Sequence, residues 1–169
     1  MLVTVVAGNP KPASRTLAAA ELVARRITGR KPDTVIDVIG LGAGLLGWGD
    51  PVVATAVEAV RACDVLICAS PTFKATYTGV LKLFLDQFQA SALSGVIAFP
   101  VMLGAGPGHA LAPELLLRPV LVEMGASCPV AGLYLLDSDY TDEGGWAGWA
   151  DRAAGALARA GLTGAGVTT

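Results

Sequence analysis

At 169 residues the chain is long enough for one domain with a full hydrophobic core and too short to expect two. It is 53% hydrophobic and 15% charged with a net charge of −2, a balance that gives nucleic acid or an anionic membrane no electrostatic hold. No apolar run reaches the ~18–20 residues of a membrane span, and Cys63, Cys68 and Cys128 lack metal-ligand spacing, so buried reduced thiols and a cytoplasmic location are expected.

Residues 2–7 read as a buried first strand, and a helix is predicted over 16–27. Between them lies Gly8-Asn9-Pro10-Lys11-Pro12-Ala13-Ser14-Arg15-Thr16, a loop that Pro10 and Pro12 stiffen. Lys11, Ser14, Arg15 and Thr16 place cations and hydroxyls at a helix start, whose N–H groups and positive dipole end suit a phosphate. A capped helix with two solvated cations explains the same residues. The loop matches neither GxGxxG nor a Walker A sequence, so a nucleoside triphosphate is not favoured.

A second strand is expected over 33–39. A Gly-rich connection over 40–50 carries Leu41, Leu45, Leu46 and Trp48, which either fold onto their own domain or meet another subunit. Asp50 and Pro51 are a cap and first position for a helix running to about residue 62. Residues 64–69 form an unalternating apolar run, the pattern of a strand covered on both faces. The loop over 70–79 follows, and then Val80, Leu81, Phe84, Leu85 and Phe88 recur at helical spacing. A fourth strand over 95–103 ends in Gly104-Ala105-Gly106-Pro107-Gly108-His109, where missing Cβ atoms would let backbone approach a flat ligand. A helix over 110–124, limited by Pro113 and Pro119, a strand over 127–136 and a helix over 146–160 complete the domain, 1–160. Residues 161–169 read as a flexible tail.

Five alternations of strand and helix imply an α/β fold, a doubly wound parallel sheet of order 2-1-3-4-5 with helices on both faces. In that order strands one, three and four are neighbours, so the three marked loops converge on one crevice.

These loops carry a family resemblance. Residues 8–15 resemble the G-S-x-R-x-x-S loop of the NAD(P)H-dependent FMN reductases, which have a flavodoxin-like fold. Residues 70–82 are similar to that family's S-P-x-Y-x-x-x-x-x-G-x-L-K stretch, and residues 104–109 resemble its glycine-rich flavin loop. Continued through Leu117-Arg118-Pro119-Val120-Leu121, the pattern looks most like the branch that supplies reduced flavin to alkanesulfonate monooxygenases, and it covers about residues 2–140.

The resemblance implies FMN and NADPH or NADH as cofactors. It places Asn9, Lys11, Ser14, Arg15 and Thr16 at the FMN phosphate, and Pro71, Thr72, Phe73 and Lys74 along the ring and ribityl chain. Gly104, Ala105, Gly106 and His109 would complete the pyrimidine side. Hydride would pass from nicotinamide to flavin without a protein acid or base, so no catalytic residue is named. It further implies a homodimer or homotetramer, with a flavin-dependent monooxygenase as a partner.

This chain departs from the pattern at Asn9 (for Ser), Lys11 (for Arg), Phe73 (for Tyr) and at Leu115, where that branch carries an extra residue, often aromatic or His. Bland roles stand beside several assignments: a capping His109, a Tyr77 packed under its loop, and Trp146 and Trp149 as packing anchors. Two other readings remain open: a bound-FMN quinone or azo reductase, and a flavodoxin-like electron carrier. The basic first loop and near-balanced charge speak against the carrier.

Overall fold

Five parallel strands in the order β2-β1-β3-β4-β5 form the centre of the protein in a computed structural model that describes residues 1–162. They are β1 (Val3–Ala7), β2 (Thr34–Asp37), β3 (Val65–Pro71), β4 (Ile97–Gly104) and β5 (Leu133–Leu136). This is the flavodoxin-like order expected from the alternation of elements. β1 and β3 are buried along their whole length, because apolar layers cover both faces of the sheet. One layer gathers Val6, Leu66, Leu81, Phe84 and Leu121; the other gathers Val5, Ile67, Phe99, Trp149 and Leu157.

Helix α1 (Arg15–Thr28) starts on Ser14, whose hydroxyl accepts from the Leu17 N–H. Helix α2 (Pro51–Arg61) has the expected Asp50 cap and Pro51 at its first position. Helix α3 (Gly79–Leu85) is shorter than its apolar stripe suggests, and Phe88 packs edge-on against Phe84 from the turn beyond it. Helices α4 (Arg118–Glu123) and α5 (Ala147–Arg159) complete the set.

The third strand runs on through Ser70 and Pro71, which were expected in the loop and here pair with Met102 and Leu103 of β4. Three further segments differ from their sequence-based expectations. The second strand stops at Asp37, and the Gly-rich stretch folds as 3-10 turns over Val38–Leu46, kinked at Gly42 (φ 60°). Val38 and Leu45 are buried there, so their burial pulls the chain off the sheet, while Leu46 and Trp48 stay exposed. The expected helix over 110–124 is broken into a 3-10 turn (Pro107–His109), a π-helical turn (Pro113–Leu117) and α4. Pro113 and Pro119 supply no N–H, and a wider turn fits the chain between them. The fifth strand begins at Leu133; upstream, Ser127 makes only an isolated bridge to Ile97.

The three cysteines are buried and free. Trp146 and Trp149 are packing anchors, each donating its indole N–H to a backbone carbonyl, Tyr140 and Ala131 respectively. Gly161 (φ 75°) and Leu162, placed in the tail by the sequence, close the end of α5, with Leu162 packed on the core. The rest of that expected tail, 163–169, lies outside the described residues. Among the described residues no helix is long and apolar enough to cross a membrane.

Candidate functional site

The carboxyl ends of β1, β3 and β4 carry the three loops, and the backbone ties them to one another. Gly8 donates its N–H to the Ala69 carbonyl at 2.9 Å, and Thr78 Oγ donates to the Gly8 carbonyl at 2.5 Å. A Cβ on Gly8 would stand 2.3 Å from Leu81 Cβ, so only glycine lets the first loop pass against α3. On the other side, Thr72 donates its N–H to the Leu103 carbonyl at 2.6 Å. All three loops therefore meet at the carboxyl end of the sheet, where open parallel sheets bind ligands.

In the first loop, Asn9 orders its neighbours: its carboxamide accepts from the Lys11 N–H (2.9 Å) and donates to Thr16 Oγ (3.0 Å). Ser14 and Thr16 are buried, while Lys11 and Arg15 project into solvent. Ser14 Oγ accepts as a cap, which leaves its own hydrogen free to donate outward. Ala13 adopts φ 48°, and Asp37 holds it there by accepting its N–H at 2.9 Å. The other Asp37 oxygen, Oδ1, is buried without a partner.

The third-strand loop turns back on itself through Phe73 and Thr76, which bridge across Lys74 (φ 53°) and Ala75 (φ 68°). Two successive positive φ values give the tight reversal of a hairpin tip. Phe73, half exposed, stands at its base, and Thr72 Oγ is buried with no hydrogen-bond partner. Tyr77 packs against the core.

The fourth-strand loop is fixed from β5. Tyr134 donates its hydroxyl to the Gly106 carbonyl at 2.7 Å, and a Cβ on Gly104 would lie 2.0 Å from that oxygen. The neighbour that requires glycine at position 104 is thus the protein's own Tyr134. Gly106 faces open space, and Ala105 is exposed beside it. His109 is exposed at the end of the 3-10 turn that follows Gly106. It lines an open groove of about 380 Å³ with Ala75, Leu111 and Leu115, against the π-helical turn. Pro71 ends β3 opposite Leu103.

Sequence reasoning missed Asp37, Tyr134 and Asp137. Asp137, just past β5, donates its N–H to the Gly104 carbonyl (3.0 Å) and accepts from Arg15 Nη1 at its own carbonyl (3.1 Å). Its carboxylate stands 3.4 Å from Arg15 Nη2. None of the three sits in a recognisable motif; only the assembled sheet brings them to the loops.

A family model described as NADPH-dependent FMN reductase matches residues 1–141, the span that holds every loop above. The chain belongs to that family. The flavin-reductase class read from the loops is the one this family model describes. A protein named FMN reductase (NADPH) from Escherichia coli K12 is 30% identical over 152 residues, covering 84% of this chain and 76% of that protein. A protein named NADH-dependent FMN reductase SfnF from Pseudomonas fluorescens Pf0-1 is 29% identical, covering 83% of this chain and 79% of its own length. Among solved structures, the apo form of an NADH:FMN oxidoreductase superposes with a TM-score of 0.81 at 32% identity, over 94% of this chain and 88% of that one.

Proposed function

We propose that this flavin reductase takes FMN and either NADPH or NADH into the crevice between the three loops, and passes reduced flavin on to a monooxygenase. The observation that carries the proposal is the joining of the basic first loop to the other two at the carboxyl end of the sheet. The donor set fits FMN. Lys11 and Arg15 are exposed cations, Ser14 has a free hydroxyl hydrogen, and the start of α1 adds N–H groups and a positive dipole end. The buried, unpartnered Thr72 hydroxyl offers a donor and acceptor where a polar ring edge would lie.

Bound FMN supplies the hydride acceptor, and the nicotinamide nucleotide the hydride. The protein's own task is to bind, orient and exclude water. Lys11, Ser14, Arg15 and Thr16 hold the phosphate, with Asn9 fixing the loop beneath them. Thr72 and the half-exposed Phe73 would border the ring. The N–H groups of Thr72 and Phe73 are taken by Leu103 and Thr76, so ring-edge hydrogen bonds fall to the Thr72 hydroxyl and to the hairpin tip at Lys74 and Ala75. Pro71 sets the exit angle of that loop, while Gly104, Ala105 and Gly106 form the opposite wall and His109 its outer rim. No side chain is needed to move a proton for hydride transfer; holding the partners close and dry does the work.

Leu111, Leu115 and Leu116, exposed on and before the π-helical turn, make an apolar face suited to a second copy of the chain. A homodimer or homotetramer is the corresponding assembly.

Stopped-flow oxidation of NADPH and NADH, with and without added FMN, tests the function. Fast turnover only with added FMN, from a colourless preparation, is expected. A yellow protein that reduces a quinone but gains nothing from free FMN would replace this reading with a prosthetic-flavin reductase. Absence of any oxidation would leave an electron carrier.

A further inference from the structure

Arg15, one of the two cations assigned to the flavin phosphate, already has an anion of its own. Asp137 is fixed by its backbone at both ends: its N–H donates to the Gly104 carbonyl and its carbonyl accepts from Arg15 Nη1. Leu136, the preceding residue, is paired in the sheet with Gly104. Its carboxylate stands 3.4 Å from Arg15 Nη2 with a third of its side chain exposed. Lys11 differs: among the described residues it has no carboxylate partner. Asp37, the other acid at this loop, is engaged with the Ala13 N–H.

We infer that Asp137 is an internal counter-anion for Arg15 that competes with the flavin phosphate and sets how readily FMN leaves. This rests on the phosphate assignment made above. A phosphate arriving at the loop must share or displace the carboxylate, so part of its attraction to Arg15 is cancelled in advance. Lys11 gives a point charge without a fork, and cannot make up a bidentate contact. A loop so balanced suits a flavin that visits as a substrate and departs after reduction. The Arg15 bond to the Asp137 carbonyl does not involve the carboxylate, so the guanidinium is expected to stay in place when the charge is taken away.

Fluorescence-quenching titrations with FMN and riboflavin, on the full-length protein and its D137N, R15A and R15A/D137N variants, test this. D137N is expected to tighten FMN roughly two- to fivefold, the scale of an exposed ion pair, and to leave riboflavin unmoved. In the R15A background the same substitution should do nothing. Asp137→Ser, which keeps both backbone contacts, should act in the same direction as D137N and guards against a folding artefact of either variant. Unchanged or weaker FMN binding in D137N, with R15A weakening FMN more than riboflavin, overturns the inference and spares the phosphate reading. Tightening that persists undiminished in R15A also overturns it, because the carboxylate would then act without Arg15. Equal losses of FMN and riboflavin in R15A overturn the phosphate reading itself.

Discussion

The hydroxyl of Thr78 joins two loops that are seventy positions apart: it donates to the Gly8 carbonyl and accepts the Leu81 N–H. One side chain thus caps α3 and pins the first loop against the third. Thr78→Ala removes both bonds from a buried position, and about 2 kcal/mol of stability should go with them. Urea denaturation measures this. Thr78→Ser, which keeps the hydroxyl, should recover most of the loss; equal losses in both would show that the methyl group, not the hydrogen bonds, matters.

Tyr134 holds the glycine-rich loop through its hydroxyl, which donates to the Gly106 carbonyl. Tyr134→Phe should cost about 0.5–1.5 kcal/mol, one hydrogen bond's worth, and should weaken FMN binding as the Gly106 carbonyl is released. Gly104→Ala pushes a methyl into that same hydroxyl and should cost about 1–3 kcal/mol. Placed together, the two changes should cost less than their sum, because the phenyl ring gives the methyl some room. Strict additivity in denaturation midpoints would contradict that contact.

Burial pushes the Cys68 thiol up to about 12, and those of Cys63 and Cys128 to about 11, from an ordinary 9.0. The folded protein keeps these protons at pH values where the unfolded chain has begun to lose them. Stability should therefore fall as pH rises from about 9 through 11. Native protein near neutral pH should resist thiol reagents, since burial denies them both access and thiolate. Rapid labelling of any of the three without denaturant would refute the burial argument.

Glu114 is the second residue of the π-helical turn, and its carboxyl lies below the ordinary 4.5 because it accepts the Gly132 N–H and pairs with Arg118. That support is complete above about 4.5 and disappears as pH falls through the lowered folded value. Glu114→Gln should abolish the corresponding acid-side slope. Thermal melts of both proteins between pH 3 and 6 provide the comparison; parallel curves would sink the assignment.

Local pattern was enough for the sheet order and the three loops, because β1 and β3 are buried and mostly apolar, with only Thr4 and Ser70 polar, and each loop follows its strand directly. It was misleading where packing overrides propensity. Val38 reads as strand but is drawn with Leu45 into the layer beneath α2, and the prolines around residue 115 read as helix limits yet admit a π turn. Asp37, Tyr134 and Asp137 had no signal at all. Their contacts reach 24, 28 and 122 positions along the chain, and a polar residue at a strand end looks the same with or without a partner.

Asp137 has one more implication, for how the chain is made. Of its partners, Arg15 is synthesised among the first residues and Gly104 nearly ninety later, yet the clasp between them needs the segment after β5. A nascent chain made as far as His109 holds every proposed flavin-contacting residue but not the bond that draws the first loop towards the loop after β4. The first loop is tied on that side only after the last strand is in place, so a chain that ends ahead of Asp137 should leave Arg15 without either its carbonyl or its carboxylate partner.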